Sequence, residues 1–328
     1  MECYRIFTSN TFEQWPQSMF FWAMVLAFVF IVGLNTFLMV ALIKTNPKQL
    51  TVTTKLFIYL TFWDLVIGLV TIPTQLVSII IGESSSCLLI GLQAFLNAFS
   101  PQQSMSTIFT LSLFRYITIT KPLTRIGVKH LYTALTVNFV MSIAISLWYL
   151  KNSMVQEIDK EMGYFLITIT AYVLLVIGGS IILNMSLYYK LMKRWKESLV
   201  IGINQSTERH KHANVTMILL TVILIICYVP NGISFSVFGY RIITNAKQSY
   251  RSYTPLAHFI MLSNAGFNSL TYILRTRKIR QYLRKLLLGT NSDTNQYIAT
   301  HIPEANPIFY LNCRLVKFSA IQELSLWK

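Results

Sequence analysis

Apolar runs of about 20 residues, the length that crosses a bilayer core as a helix, recur along the chain near positions 18–44, 54–81, 88–119, 130–150, 163–190, 213–240 and 252–274. Each predicts one membrane-spanning helix. The third run is the least apolar. Asn97, Ser100, Gln102, Gln103, Ser104, Ser106 and Thr107 place polar atoms around much of its circumference. In a membrane such a helix is stable only when other helices surround it or when it lines a wet cavity, so it is the predicted central element. After the last run, Ile279, Tyr282, Leu283, Leu286 and Leu287 recur at helical spacing among basic residues. That is the pattern of a short amphipathic helix lying on a membrane surface. The expected fold is therefore an all-α membrane protein: a seven-transmembrane helix bundle with a short amphipathic eighth helix.

A few polar positions interrupt the apolar runs, and they carry the candidate chemistry. Asp64 stands alone as an acid between Leu60 and Pro73. A charge at mid-bilayer costs about 2.5–3.5 kcal/mol on insertion scales, so an ionisable residue there is a functional candidate by default. The plainer alternative is an acid neutralised by protonation or held by a hydrogen bond from a neighbouring helix. Asn35 is a lone amide in the first run, and in lipid such a group turns toward another helix. Pro73, Pro101 and Pro230 fall inside predicted helices and should bend them.

Composition agrees with this reading: 54% of residues are hydrophobic and 12% charged, with a mean hydropathy of +0.52, against about 25% charged in a soluble domain. The net charge of +16 raises nucleic acid as a partner, and its placement removes it. With the N-terminus outside, 22 of the 28 lysines and arginines fall on the inner side of the membrane. That bias orients membrane proteins and meets anionic inner-leaflet lipid. The expected partners thus include the lipid bilayer and no nucleic acid. The expected organisation is an extracellular N-terminus over residues 1–17, a membrane domain over 18–288 and a cytoplasmic, disordered tail over 289–328. No removable signal peptide is expected at the N-terminus.

Several motifs hold a consistent spacing. Asn35 lies in the first run, Leu60-Thr-Phe-Trp-Asp64 and Pro73 in the second, and Arg115-Tyr116 with Pro122 at the end of the third. Cys227-Tyr228-Val229-Pro230 lies in the sixth run and Asn268-Ser269-Leu270-Thr271-Tyr272 in the seventh. Together they resemble the rhodopsin-like (class A) G-protein-coupled receptors over roughly residues 18–288. The resemblance implies a multi-pass plasma-membrane receptor, not an enzyme, with its N-terminus outside. Such a receptor binds an extracellular ligand and activates a heterotrimeric G protein by opening its inner face. It implies no cofactor beyond an allosteric sodium ion, held by Asp64, Ser104, Asn264 and Asn268. Oxygen ligands of this kind suit a hard cation, and a purely hydrogen-bonded network is the alternative. The resemblance also places Arg115 and Tyr116 at the G-protein cleft and makes Tyr228, Pro230 and Tyr272 switch residues, with Tyr188 or Tyr189 assisting.

Gln93, Asn97, Tyr228, Asn231 and His258 are polar groups in the outer half, either lining a ligand pocket or packing between helices. The departures from the family pattern are specific. Phe114 replaces the acid beside Arg115, His210 stands at the matching sixth-helix acid, Tyr228 replaces a Trp and Ser269 a Pro. The second outer loop has no cysteine, and a Cys3–Cys87 pair on the oxidising side is the expected substitute. An aminergic ligand would need an acid where Asn97 stands, and retinal a lysine where Leu262 stands, so neither is expected. A seven-helix transporter is the alternative function, though no internal repeat supports it. A membrane metallo-hydrolase would need clustered ligands, whereas His130, His210, His212, His258 and His301 are scattered.

Overall fold

The computed structural model describes residues 17–45, 51–81, 87–120, 127–153, 160–201, 205–244 and 254–288. Cys3, His301 and the tail from Gly289 lie outside them, and His210 and His212 outside the side chains described. Every described element is helical. The order is α1 (Gln17–Thr45), α2 (Val52–Val66), a π-helical turn (Ile67–Thr71), α3 (Ile72–Ile81), α4 (Cys87–Thr120), α5 (Val128–Ser153), α6 (Lys160–Ile201), α7 (Gln205–Ile243), α8 (Thr254–Arg275) and α9 (Arg277–Leu288). The chain divides into two compact units, Met1–Arg280 and Gln281–Lys328. In the second, the described residues are the last turns of α9, Gln281–Leu288.

Among the described residues, five helical stretches are long and apolar enough to cross a membrane: α1, the continuous rod from Val52 to Ile81, α5, α6 and α7. Their outward faces stay apolar, with Leu26, Leu175 and Ile226 60–75% exposed. In water that surface would be a liability; in hydrocarbon it is the favourable contact. The chain is an all-α membrane protein. The sequence pattern predicts two further spans at α4 and α8, and these are too polar to qualify by composition. Their polarity is turned inward. From Phe99 to Ile108 every residue of α4 is buried, on all sides, and hydrogen bonds join α4 to α2, α5, α6, α7 and α8. α4 is the central helix.

Pro73 acts differently from the simple kink its position predicts. Lacking an N–H, it cannot close an ordinary helical turn, and the chain widens just before it into the π turn. There the Ile72 N–H bonds back to the Ile67 carbonyl. Such wide turns redirect side chains and favour functional sites, and this one follows Asp64 directly. Within it Gly68 faces α1, where an added Cβ would stand 2.8 Å from Val32 Cγ2. The spans α6 and α7 continue past their apolar runs into basic sequence rich in helix-favouring residues, leaving only 202–204 between them outside description.

The start of α6 and the end of α7 touch through backbone. A Cβ on Gly239 would lie 2.7 Å from the Gly163 carbonyl oxygen, and one on Gly163 would lie 2.8 Å from that of Gly239. Backbone cannot yield as a side-chain tip can, so overpacking here should cost about 1–3 kcal/mol. Gly178, with nothing within 4 Å of its Cβ position, should accept alanine at no loss. We expect Gly239→Ala to melt several degrees below the wild type in detergent and Gly178→Ala to melt at or above it. Equal melting of the two variants would contradict this packing.

Candidate functional site

Asp64 sits on the last turn of α2, fully buried. Ser104 on α4 donates its hydroxyl to Asp64 Oδ1 at 2.9 Å, and Asn268 on α8 donates its Nδ2 to Asp64 Oδ2 at 3.3 Å. Asn268 Nδ2 also lies 3.3 Å from Ser104 Oγ. Three helices therefore meet at one carboxylate. Asn264, one turn before Asn268 and so on the same face of α8, is buried with neither amide atom hydrogen-bonded. The side-chain oxygen of Asn268 likewise has no donor.

Asp64, Ser104 and Asn268 bring together one carboxylate, one hydroxyl and one amide, and the buried amide of Asn264 lies one turn away on the same face of α8. This all-oxygen chemistry fits a hard cation such as sodium better than zinc, whose protein sites are built mainly on His nitrogen and Cys sulfur. Among the described residues no group of three or more His, Cys, Asp or Glu converges.

Around this centre, residues at which the chain departs from the motifs it resembles find partners. Ser269, standing for a Pro, donates its hydroxyl to Asn35 Oδ1. Asn35 in turn donates its Nδ2 to the Ala265 carbonyl at 3.1 Å. The pair fastens α1 to α8 beside Asn268. Tyr228, standing for a Trp, donates its hydroxyl to the Pro101 carbonyl at 2.8 Å. Pro101 is itself a departure, and it lies one turn before Ser104. Thus α7 is bonded to α4 next to the carboxylate.

Beside this layer, toward the N-terminal end of α4, a cavity of about 70 Å³ opens between α4, α5, α6, α7 and α8. Asn97, Tyr228, Asn231 and His258 line it, as the sequence predicts for a pocket. Gln93 is placed elsewhere: it is outside the cavity lining, and its Oε1 accepts from Ser78 at 2.8 Å. The residue that sequence reasoning missed is Gln75 on α3. Its Nε2 lies 2.7 Å from both Asn97 Oδ1 and His258 Nε2. An amide nitrogen only donates, so His258 accepts at Nε2. The available signal was an amide two residues beyond Pro73 in an otherwise apolar run.

Toward the C-terminal end of α4, Arg115 is half-buried and within electrostatic reach of Tyr272, whose ring packs on Phe57 with centroids 3.8 Å apart. Tyr116 accepts from Lys190 Nζ at 3.1 Å, bridging α4 and α6. Tyr188 is half-buried, but Tyr189 is 73% exposed on the apolar face of α6 and cannot reach the core. Asn184, unmarked by the sequence, donates its Nδ2 to Ser112 Oγ at 3.1 Å and to Thr221 Oγ1 at 2.9 Å, joining α6 to α4 and α7. Cys87 is disulfide-bonded and Cys227 is free and buried; the expected partner Cys3 lies outside the described residues.

No protein-family model matches the chain, and no curated relative matches it.

Removing the Ser104 hydroxyl leaves a buried carboxylate oxygen short of a donor, a loss of about 1–3 kcal/mol. We expect Ser104→Ala to lower the detergent melting temperature by several degrees, and to lower it much less in an Asp64→Leu background. Full additivity of the two substitutions would show that the hydroxyl does not act through Asp64.

Proposed function

We propose that the chain is a rhodopsin-like G-protein-coupled receptor, a seven-transmembrane bundle in which α4 and α8 complete the spans and α9 is the amphipathic eighth helix on the inner leaflet. The observation that carries this reading is the Asp64 junction. One buried carboxylate, bonded to Ser104 and Asn268, lies between an outward cavity and the inner Arg115. The disulfide at Cys87 agrees with that end of α4 facing an oxidising compartment, as does the crowding of basic residues at the opposite ends of the helices.

In this reading a ligand in the cavity touches α4 at Asn97 and α7 at Tyr228 and Asn231, on either side of the Tyr228–Pro101 hydrogen bond. Ligand that favours one arrangement of that bond shifts the equilibrium between closed and open inner faces. Ser104 and Arg115 lie on the same helix, about 16 Å apart at helical rise, so a displacement of α4 near Pro101 is carried to the arginine without a flexible joint. The bend at Pro230 supplies the point about which the inner half of α7 swings. Asn184 holds α6 and α7 to α4 in the closed state, where the family has an acid beside the arginine and this chain has Phe114. A sodium ion bound at Asp64 would neutralise the carboxylate and favour the closed arrangement.

The direct assay is nucleotide exchange on purified heterotrimeric G proteins in membranes containing the full chain. We expect ligand-free exchange above that of empty membranes with at least one G-protein class. Asn184→Leu should increase it, by loosening the clamp on α6 and α7, and Phe114→Asp should decrease it. Background exchange with every class, together with solute flux through the same membranes, would replace the receptor by the transporter.

A further inference from the structure

The cavity walls specify what can occupy them. Among the described residues, no lysine, arginine, aspartate or glutamate lines the cavity. Its walls are largely apolar and aromatic, with Tyr149 and Phe165 stacked at 5.5 Å between centroids and Phe235 beside them. Most of the polar lining groups are already engaged with each other or with backbone. The Tyr228 hydroxyl is given to the Pro101 carbonyl, the Thr170 hydroxyl is shared between the Leu166 and Gly232 carbonyls, and Asn97 Oδ1 and His258 Nε2 are both met by Gln75.

Asn231 keeps an unmet acceptor. It is 5% exposed, and its Nδ2 lies 3.2 Å from Met261 Sδ, a weak acceptor. Its Oδ1 has no hydrogen-bond donor. A buried carbonyl oxygen in that state lacks a partner that folding normally supplies. An occupant with one hydroxyl or N–H would supply it. A charged occupant would leave water for a chamber whose described walls offer no opposite charge, which is unfavourable in a low-dielectric interior.

We infer that the cavity binds a small uncharged molecule, mainly apolar or aromatic, that carries one hydroxyl or N–H donor directed at Asn231 Oδ1. Polar groups that only a matching donor can satisfy discriminate more strongly than apolar walls do. The donor therefore selects among molecules of similar shape, and the walls exclude cations and carboxylates. The inference deepens the receptor reading and rests on it for the consequence of occupancy, while the binding itself is independent of any G protein.

The test uses the purified full chain in detergent, with 4-ethylphenol as probe and thermal melting as readout, because ligand that binds only the folded state raises the melting temperature. We expect a saturable rise with 4-ethylphenol. At least tenfold higher concentrations should be needed with its methyl ether, and no saturable rise should appear with 4-ethylbenzoate or 4-ethylbenzylammonium. Asn231→Leu should shift the half-saturating concentration of the phenol at least tenfold. Val173→Phe, which fills the cavity from α6 without touching the polar groups, should abolish the rise, and it serves if Asn231→Leu fails to fold. Three results would overturn the inference: a charged analogue acting as well as the phenol, unchanged half-saturation in Asn231→Leu, or no saturable rise up to millimolar phenol. G-protein exchange without these shifts would remove this inference and leave the receptor reading; the shifts without exchange would do the reverse.

Discussion

A carboxylate sealed among helices must be protonated, hydrogen-bonded or met by a cation, and Asp64 is sealed completely. The hydrogen bonds it takes from Ser104 and Asn268 tie α2, α4 and α8 at one level of the bundle. In lipid the usual drive for helices to associate is missing, because the surroundings are as apolar as the side chains, so close packing and hydrogen bonds between helices fix their arrangement. Much of the remaining structure follows from that layer. Asn35 and Ser269 dock α1 on α8 next to it, the close approach of Gly68 brings α1 against the π turn, and Tyr228 ties α7 to α4 one turn above.

These contacts give a physical reason for the departures from the receptor pattern. A Pro at position 269 would have no hydroxyl for Asn35, and a Trp at 228 could not reach the Pro101 carbonyl in the way a phenol does. Each exchange is matched by a partner on a neighbouring helix, so the departures come as bonded sets. The same holds at the inner end. The acid absent at Phe114 is matched by Asn184, which bonds Ser112 and Thr221 across three helices. A neutral clamp of this kind yields more readily than a buried ion pair.

Much of this was legible in the sequence. The apolar runs locate the helical cores to within a few residues except at the inner ends of α6 and α7, where charged but helix-favouring residues carry the helix on. The polar circumference of the third run identifies α4 as central, because no other placement satisfies so many hydroxyl and amide groups. Asp64, Ser104 and Asn268 come together as the motif spacing implies. What stayed hidden are Gln75, Asn184 and the outward placement of Tyr189. A single polar residue in an apolar run looks the same whether it faces a neighbour or the lipid, and only the phase of the helix decides. The π turn moves that phase between Asp64 and Gln75, which no straight helical count anticipates. Gln93 illustrates the converse: its position in the outer half fits a pocket, but Ser78 on α3 holds its oxygen.

The central claim is that the Asp64 layer is a cation-responsive joint, and it is tested most directly by melting the purified chain in sodium chloride against potassium chloride at equal ionic strength. The wild type should melt higher in sodium, with a saturable dependence on its concentration, and Asp64→Asn should melt alike in both salts. Identical melting of the wild type in the two salts, or an undiminished sodium response in Asp64→Asn, would contradict the account.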